Sequence, residues 1–191
     1  REGYFLTYGR SWANVSNTPF RYYKHWTHEG GIASPFIAHW PNGIKARGEF
    51  RTEPAHLIDL MPTFLELAGA RYPSRVGEHT IPPMEGRSLV PAFAGEALNR
   101  EAIYFEHEGN RAVRMGRWKL VAAHEEEWKL HDMELDRTET HDVSEENEEL
   151  YARMIAMYGI WAERCGVEPW PVLRSEGYTP AKRSYPKTLG Y

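Results

Sequence analysis

The sequence predicts an open α/β unit followed by a small antiparallel sheet of about four strands, with a C-terminal helix lying across the sheet. Three observations lead to this prediction. Residues up to 98 combine a short apolar run with a longer segment of helical period. Between residues 101 and 135, short runs of β-branched and aromatic residues alternate with turn residues. Residues 145–165 then place apolar side chains at helical spacing.

The first unit is predicted from three segments. Residues 1–31 are rich in glycine, asparagine, serine and aromatics without a sustained period, which is typical of a long surface loop. The run ASPFIAHW at 33–40 predicts a buried strand that is entered through a Gly-Gly turn. Apolar residues in 54–68 follow helical spacing, so we expect a short helical turn and then a helix with Pro62 in its first turn.

The second unit is predicted from turn signals and one helical stripe. The runs AIYFEHE, RAVRMG, RWKLVAAH and EWKLHDME are separated by GN, GR and EEE, which is typical of an antiparallel meander. In the following segment, glutamates occupy the first turn and apolar side chains from Leu150 to Cys165 form one stripe. We expect this helix to pack on the sheet and to bury Cys165.

Composition excludes several classes of protein. The formal net charge of −4 gives no basic field, so a nucleic-acid partner is not expected. No apolar run approaches the roughly 20 residues of a membrane-spanning helix, so no membrane span is expected. The single cysteine among 191 residues excludes an intramolecular disulfide and a zinc cage built of cysteines alone.

Lys24 is the first candidate for a functional residue. It lies in the segment YYKHWTHEGG, where aromatic side chains, His25, His28 and Glu29 surround it in the sequence. A lysine is a compact charge that can meet sulfate or phosphate oxygens, so the loop has the chemistry to hold an anionic ester. An exposed, solvated lysine beside a Gly-Gly turn explains the same residues, and the spacing leaves both interpretations open.

A second candidate group lies in the segment EHEGNRAVR. His107, Asn110 and Arg111 have the chemistry to line a pocket, although a hairpin turn at Gly109-Asn110 accounts for them too. The acidic run DMELDRTETHDV resembles a calcium loop but lacks the glycine and the bidentate glutamate that such a loop needs. No G-x-S-x-G elbow is present, so the sequence shows no complete catalytic set.

Five segments between residues 17 and 143 carry a family resemblance. They read, in order, KHWTHEGGIASPFIAHWP, HLIDLMPTFLELAG, GRSLVPAF, EHEGNRAVRMGRWKLV and WKLHDMELDRTETHDV. Their order and spacing resemble the C-terminal part of bacterial-type arylsulfatases. The resemblance implies the C-terminal portion of an alkaline-phosphatase-like α/β sandwich, followed by the small four-stranded sheet and its helix.

The resemblance also implies roles for individual residues. Sulfatases carry a sulfate-contacting lysine five residues before the glutamate of an E-G-G segment, and Lys24 stands five residues before Glu29. Lys24 is therefore expected to be catalytic and to bind substrate, with His28 and His107 as further substrate-binding residues. The expected substrate is a sulfate ester of an aryl alcohol or a carbohydrate.

The cofactors that the resemblance implies are a formylglycine and a divalent cation, usually calcium. Cys165 is followed by GVEP rather than by a formylglycine motif, and no Asp-Asn pair precedes Lys24. The nucleophile and the metal ligands are therefore expected upstream, in the N-terminal part of the same enzyme. We expect this chain alone to bind neither cofactor and to be inactive, and the whole enzyme to be periplasmic or secreted.

The expected domain organisation follows from the same resemblance. Residues 1–98 are the C-terminal segment of the catalytic domain, residues 99–170 are the sheet subdomain with its helix at 145–165, and residues 171–191 are an extended tail. Two other functions stay open. One is a phosphodiesterase or phosphomutase of the same superfamily, because a lysine alone does not distinguish sulfate from phosphate. The other is a non-catalytic module that binds glycans or proteins.

Overall fold

The computed structural model describes residues 9–175, with side chains described through residue 173. It divides into two compact units, one formed by the described parts of residues 1–34 and 104–191 and the other by residues 35–103. The helices are α1 (Gly9–Asn17), α2 (Glu29–Ile32), a 3₁₀ turn (Leu57–Asp59), α3 (Leu60–Ala68), α4 (Val90–Phe93), a 3₁₀ turn (Glu145–Asn147), α5 (Glu148–Cys165) and α6 (Trp170–Ser175). The strands are β1 (Arg75–Val76), β2 (His79–Thr80), β3 (Ile103–His107), β4 (Asn110–Met115), β5 (Trp118–Ala122) and β6 (Lys129–Asp132).

The four-stranded sheet is the core of the first unit. Its order is β3-β4-β5-β6, and the neighbours β4-β5 and β5-β6 are antiparallel, as the turn signals predict. Val113, Leu120 and Leu130, one from each of the last three strands, are fully buried at 0% exposure. The mixed α/β fold class with a small antiparallel sheet is confirmed.

Helix α5 packs against this sheet through the predicted stripe. Met154 is completely buried. Tyr104 stacks on Trp161 with ring centroids 5.2 Å apart, and Trp128 meets Tyr158 edge to face at 5.1 Å.

Helix α5 ends at Cys165, which is exposed, so the predicted burial of Cys165 is wrong. The helix stops there because Gly166 takes the left-handed conformation of a C-terminal cap.

The residue 35–103 unit is built around a buried carboxylate. Asp59 accepts hydrogen bonds from the backbone amides of His56 and Arg87 and from the Arg100 side chain. It stands at the end of the 3₁₀ turn that precedes α3, and Pro62 lies in the first turn of α3 as predicted. Gly69 ends this helix with φ at 60°, the glycine stop expected from the sequence.

Two local predictions in the N-terminal third are wrong. Residues 9–17 form α1 and residues 29–32 form α2, so the segment predicted as one long loop is partly helical. The run at 33–40 is not a strand in the described structure, and Phe36 and Ile37 are 58% and 88% exposed. A strand needs a hydrogen-bonding neighbour, and within residues 9–175 no strand lies beside this run.

Three further expectations concern the ends and the surroundings of the chain. Residues 171–175 belong to α6, and the rest of the expected tail lies outside the described residues. The predicted bounds of the catalytic segment and the sheet subdomain stay a prediction. Within residues 9–175, the helices are too short or too polar to cross a lipid bilayer.

Candidate functional site

The loop between α1 and α2 carries Lys24 at its exposed tip. Lys24 is exposed, and within residues 9–175 its ammonium makes no hydrogen bond or ion pair. Its neighbours Tyr22 and His25 both have positive φ angles, 62° and 108°. Such angles are uncommon outside glycine and persist only where the surrounding structure holds them. The loop is therefore shaped by its contacts rather than by local preference.

Aromatic packing gives this loop its shape. The rings of Tyr22 and Trp26 stack with centroids 5.0 Å apart, and Tyr23 meets Trp26 edge to face at 4.7 Å. At the end of the loop, a Cβ atom on Gly30 would overlap the carbonyl oxygen of Tyr22, and one on Gly31 would overlap that of Trp26. The two glycines are thus required because the backbone folds closely back on itself.

A buried ionic network fixes the loop to the sheet. Lys119 of β5 has no exposed surface and donates to Glu29 Oε1 at 3.0 Å. Its Nζ also lies 2.7 Å from Glu139 Oε1, a close ionic contact without the alignment of a hydrogen bond. Glu139 Oε2 accepts the backbone N–H of Glu29 at 2.8 Å, and Arg137 donates to Glu29 Oε2 at 3.1 Å. One lysine therefore links two carboxylates that lie far apart in the sequence.

Electrostatics within this network favour the charged form of Glu29. Burial by itself raises the pKa of Glu29, but the charges and hydrogen bonds of Lys119 and Arg137 outweigh burial and hold that pKa below its ordinary value. Arg21 completes the arrangement, since its Nη1 donates to the Glu139 carbonyl oxygen at 2.6 Å. The residues just before and just after Lys24 are thus anchored to the same buried centre.

His28 lies inside this packing rather than on the surface. Its side chain is only 3% exposed and meets the Tyr22 ring edge to face at 4.7 Å. Burial, together with the positive charges of Lys119 and Arg21, lowers the pKa of His28 to about 3. His28 is therefore neutral at physiological pH. Its predicted contact with substrate stays a prediction, and the described contacts of His28 are with the loop.

The hairpin between β3 and β4 places His107 beside this loop. Its two-residue turn is Glu108-Gly109, one residue earlier than predicted, with positive φ at both positions. The ring of His107 lies 5.2 Å from the His25 ring, centroid to centroid, and His25 Nδ1 lies 2.8 Å from Glu108 Oε2. Folding therefore brings together exposed imidazoles from two distant segments.

Asn110 connects the hairpin to the lysine loop. Its side-chain amide donates to the carbonyl oxygens of His25 at 3.2 Å and of His107 at 2.9 Å, while its Oδ1 accepts the His124 backbone amide at 3.1 Å. Asn110 is 7% exposed, so these bonds are shielded from water. The guanidinium of Arg111 instead packs over the Trp128 ring at 4.6 Å. Asn110 and Arg111 thus have structural partners.

The acidic run after β6 also has a structural role. Asp132 pairs with Arg117, and Asp136 accepts the backbone amides of Thr140 and His141 at 2.8 Å each. Within residues 9–175 these carboxylates thus have protein partners. The described residues do not fit the family's calcium, because the one metal-compatible group among them contains two histidines and a single carboxylate.

Comparison with known proteins defines the family. Residues 20–157 match the family model described as N-sulphoglucosamine sulphohydrolase, C-terminal, and the chain belongs to this family. The matched range includes the Lys24 loop, the ionic network and the four-stranded sheet. The recognition of the chain as a sulfatase C-terminal region is confirmed.

Relatives and solved structures extend the comparison. An uncharacterized sulfatase of Schizosaccharomyces pombe is 29% identical over 94% of this chain and 34% of its own length. The arylsulfatase of Klebsiella aerogenes is 37% identical over 53% of this chain and 22% of its own length. The crystal structure of Ps i-CgsB superposes with a TM-score of 0.64 and 34% identity, covering 76% of this chain and 32% of that one. The structural neighbours are sulfatases of the alkaline-phosphatase-like fold, which confirms the predicted class. The chain spans about a third of the length of the first relatives it matches.

Sequence reasoning found Lys24 and His107 but missed the residues that hold them. In residue number, His25 and Glu108 are 83 positions apart (108 − 25), and Glu29 and Lys119 are 90 positions apart. A sequence pattern has no signal for such pairs, because only the fold brings them together. The one available signal was the lysine in RWKLVAAH, which stands alone within an apolar run and falls at a buried position of β5.

Proposed function

We propose that this chain forms part of the active site of a sulfuric ester hydrolase and that Lys24 contacts the sulfate group of the substrate. The observation that carries the proposal is a contrast within one loop. The exposed ammonium of Lys24 has no partner among residues 9–175, while buried ion pairs and glycine contacts hold the backbone of the loop in place. Catalytic side chains are commonly presented in this way, by loops that a rigid scaffold positions.

Lys24 supplies a fixed positive charge next to the developing negative charge of the reaction. As the sulfur–oxygen bond to the leaving group breaks, charge accumulates on the sulfate oxygens and on the departing oxygen. A preorganised ammonium stabilises that charge more than it stabilises the ground state. In this proposal His107, which is exposed beside the loop, donates a hydrogen bond to another part of the substrate.

The substrate in this proposal is a sulfate ester of an aryl alcohol or of a carbohydrate. Both kinds are represented in the names of the relatives, which include an arylsulfatase and N-acetylgalactosamine-6-sulfatases. Ps i-CgsB has been crystallised with a neocarrahexaose, a carbohydrate. A formylglycine and a divalent cation, contributed by the N-terminal part of the same enzyme, would supply the nucleophile and further charge stabilisation.

The surface of the residue 35–103 unit supports a partnership with that N-terminal part. Phe36, Ile37, Met61 and Phe64 are large apolar side chains that are 58%, 88%, 52% and 62% exposed. Exposed apolar residues grouped within one small unit are typical of a surface that another protein segment covers. We expect the rest of the catalytic domain to cover it, and we expect the enzyme to act in the periplasm or outside the cell.

The proposed function is tested by substrate comparison with the full-length parent enzyme. We expect it to hydrolyse a chromogenic aryl sulfate or a sulfated oligosaccharide at a kcat/KM at least tenfold above that for a chromogenic phosphate diester. We expect the 191-residue chain alone to release no sulfate, because it holds neither the nucleophile nor the family's metal site. A preference for the phosphate diester would favour the phosphodiesterase alternative. Glycan binding by a parent enzyme that hydrolyses none of these substrates would favour the non-catalytic module.

A further inference from the structure

A group of three potential metal ligands lies next to Lys24 in the fold. His25, His107 and Glu108 each offer one ligand atom, and these atoms all lie within 4.8 Å of one another. His25 and His107 are exposed, so an ion in solution reaches them without any opening of the structure. The three residues come from the lysine loop and from the β3–β4 hairpin, which pack against each other.

The backbones that carry the two histidines are held by one buried side chain. Asn110 donates from its single amide nitrogen to the carbonyl oxygens of both His25 and His107. Glu108 sits in the tight hairpin turn with φ at 53°, which fixes its direction relative to His107. A ligand set whose backbone is fixed before binding loses less conformational entropy when the ion arrives.

The chemistry of the donors selects the class of ion. Zinc and its neighbours favour imidazole nitrogen and carboxylate oxygen at about 2.0–2.2 Å, and sites with two histidines and one glutamate are known for zinc. Calcium requires about six to eight oxygen ligands. We propose that His25, His107 and Glu108 form a binding site for a divalent transition metal of the zinc class.

Binding requires only small changes in the side chains. Around one zinc ion, donor atoms at about 2.1 Å from the metal lie roughly 3–3.5 Å apart in a tetrahedral site. His25 Nδ1 and Glu108 Oε2 are already 2.8 Å apart, so the metal replaces the contact between them and the ring of His107 turns toward it. Three protein ligands leave one coordination position for water or for an anion.

A consequence for catalysis rests on the proposed function. If His107 contacts substrate, a metal ion bound to it competes with that contact. Zinc then inhibits the full-length sulfatase, and the inhibition weakens when the site is removed by Glu108→Gln, a variant that keeps the shape of the side chain.

The test is zinc binding by the 191-residue chain, measured by isothermal titration calorimetry in a buffer that does not chelate metals. We expect saturable binding of one zinc ion. His25→Ala and His107→Ala should each lower the zinc affinity by roughly tenfold or more, because even residues that only hydrogen-bond to a metal ligand contribute about ten- to a hundredfold to metal affinity. The matched control is His39→Ala, which removes an exposed histidine of the residue 35–103 unit and should leave the affinity unchanged. Absorption spectra of the cobalt-loaded wild type and of cobalt-loaded Glu108→Gln show whether the Glu108 carboxylate is a metal ligand. Thermal melts of all the variants show whether they are folded.

The proposal is overturned if zinc does not bind, if calcium binds equally well, or if zinc binding is the same in His107→Ala as in the wild type. These outcomes leave the proposed function standing, because sulfate release and its dependence on Lys24 are measured separately. If the wild-type chain binds no zinc and His107→Ala nevertheless lowers the activity of the full-length enzyme, His107 acts on the substrate alone. That result also overturns the metal site.

Discussion

Lys24 and Lys119 show how burial decides what a lysine does in this protein. Lys119 is completely buried and meets two carboxylates, so its charge is neutralised within the protein. Lys24 is exposed and has no such partner among residues 9–175, so its charge remains available to an anion from solution. A buried lysine without a partner would lose its charge, and a lysine paired at the surface would offer little to a substrate. The two roles thus require the two different environments.

His28 makes folding stability depend on pH. Its pKa is about 3 in the folded protein against an ordinary value of 6.5, so the unfolded chain binds a proton between these values and the folded chain does not. Stability is therefore full above about pH 6.5 and decreases as the pH falls toward 3. We expect the free energy of unfolding to fall by about 1–2 kcal/mol between pH 7 and pH 5 through this residue.

Urea unfolding of the wild type and of His28→Gln at both pH values measures this contribution. The variant should lose less stability than the wild type over the same interval, whatever its absolute stability at pH 7. Equal pH dependence in the two proteins would show that His28 is not buried as a neutral group.

Three elements of the fold meet in the ionic network: α2 with Glu29, β5 with Lys119, and the segment after β6 with Glu139. Removing one partner of a buried ion pair leaves an uncompensated charge, which costs about 3–5 kcal/mol. We expect Lys119→Met to lower the free energy of unfolding by that amount, because Glu29 and Glu139 then face each other in a buried site. Lys129→Met on the neighbouring strand should cost about 1 kcal/mol or less.

Chemical denaturation of the two methionine variants gives this comparison. A loss below about 1 kcal/mol in Lys119→Met would mean that the network contributes little and that the aromatic contacts hold the loop. If Lys119→Met does not fold at all while Lys129→Met does, the larger effect of the buried lysine is supported.

The regular elements of the sheet unit were predictable because each has a local signal. The four strands follow from β-rich runs bounded by turn residues, and α5 follows from its stripe ending at Gly166. The burial of Cys165 was predicted wrongly because a stripe indicates a face but not how far the neighbouring sheet extends. The strand at 33–40 was predicted wrongly for a related reason, since apolar composition indicates a buried environment without supplying the pairing partner.

The candidate site was predictable only in part. Lys24 could be chosen as a candidate because the family resemblance implies a lysine at a fixed distance from E-G-G, which is a local pattern, and its role stays a prediction. The contacts that hold the loop depend on Lys119, Glu139 and Asn110, which lie 85 or more residues from their partners in the loop. Contacts of this range leave no periodicity in a single sequence. The closeness of His25 to Glu108 is hidden for the same reason.

On the scale of the whole molecule, the chain supplies one part of a larger enzyme in this account. The family match covers residues 20–157. In the first two relatives, the matched part is 34% of the relative's length, so each relative is about three times as long as that part. The sheet unit has its own core of fully buried side chains. Its contribution to function in this account is to hold one charged loop in a fixed position for chemistry that other segments complete.

The central claim, that Lys24 is the sulfate-contacting residue, is tested most directly by steady-state kinetics of Lys24→Ala in the full-length parent enzyme. Removing a preorganised charge-stabilising group typically costs about a hundred- to a thousandfold in rate, so kcat/KM for a sulfate ester should fall by roughly two to three decades with an unchanged melting temperature. The matched control, Lys45→Ala, removes another exposed lysine and should keep the wild-type kcat/KM. Wild-type kcat/KM in a folded Lys24→Ala enzyme would contradict the account.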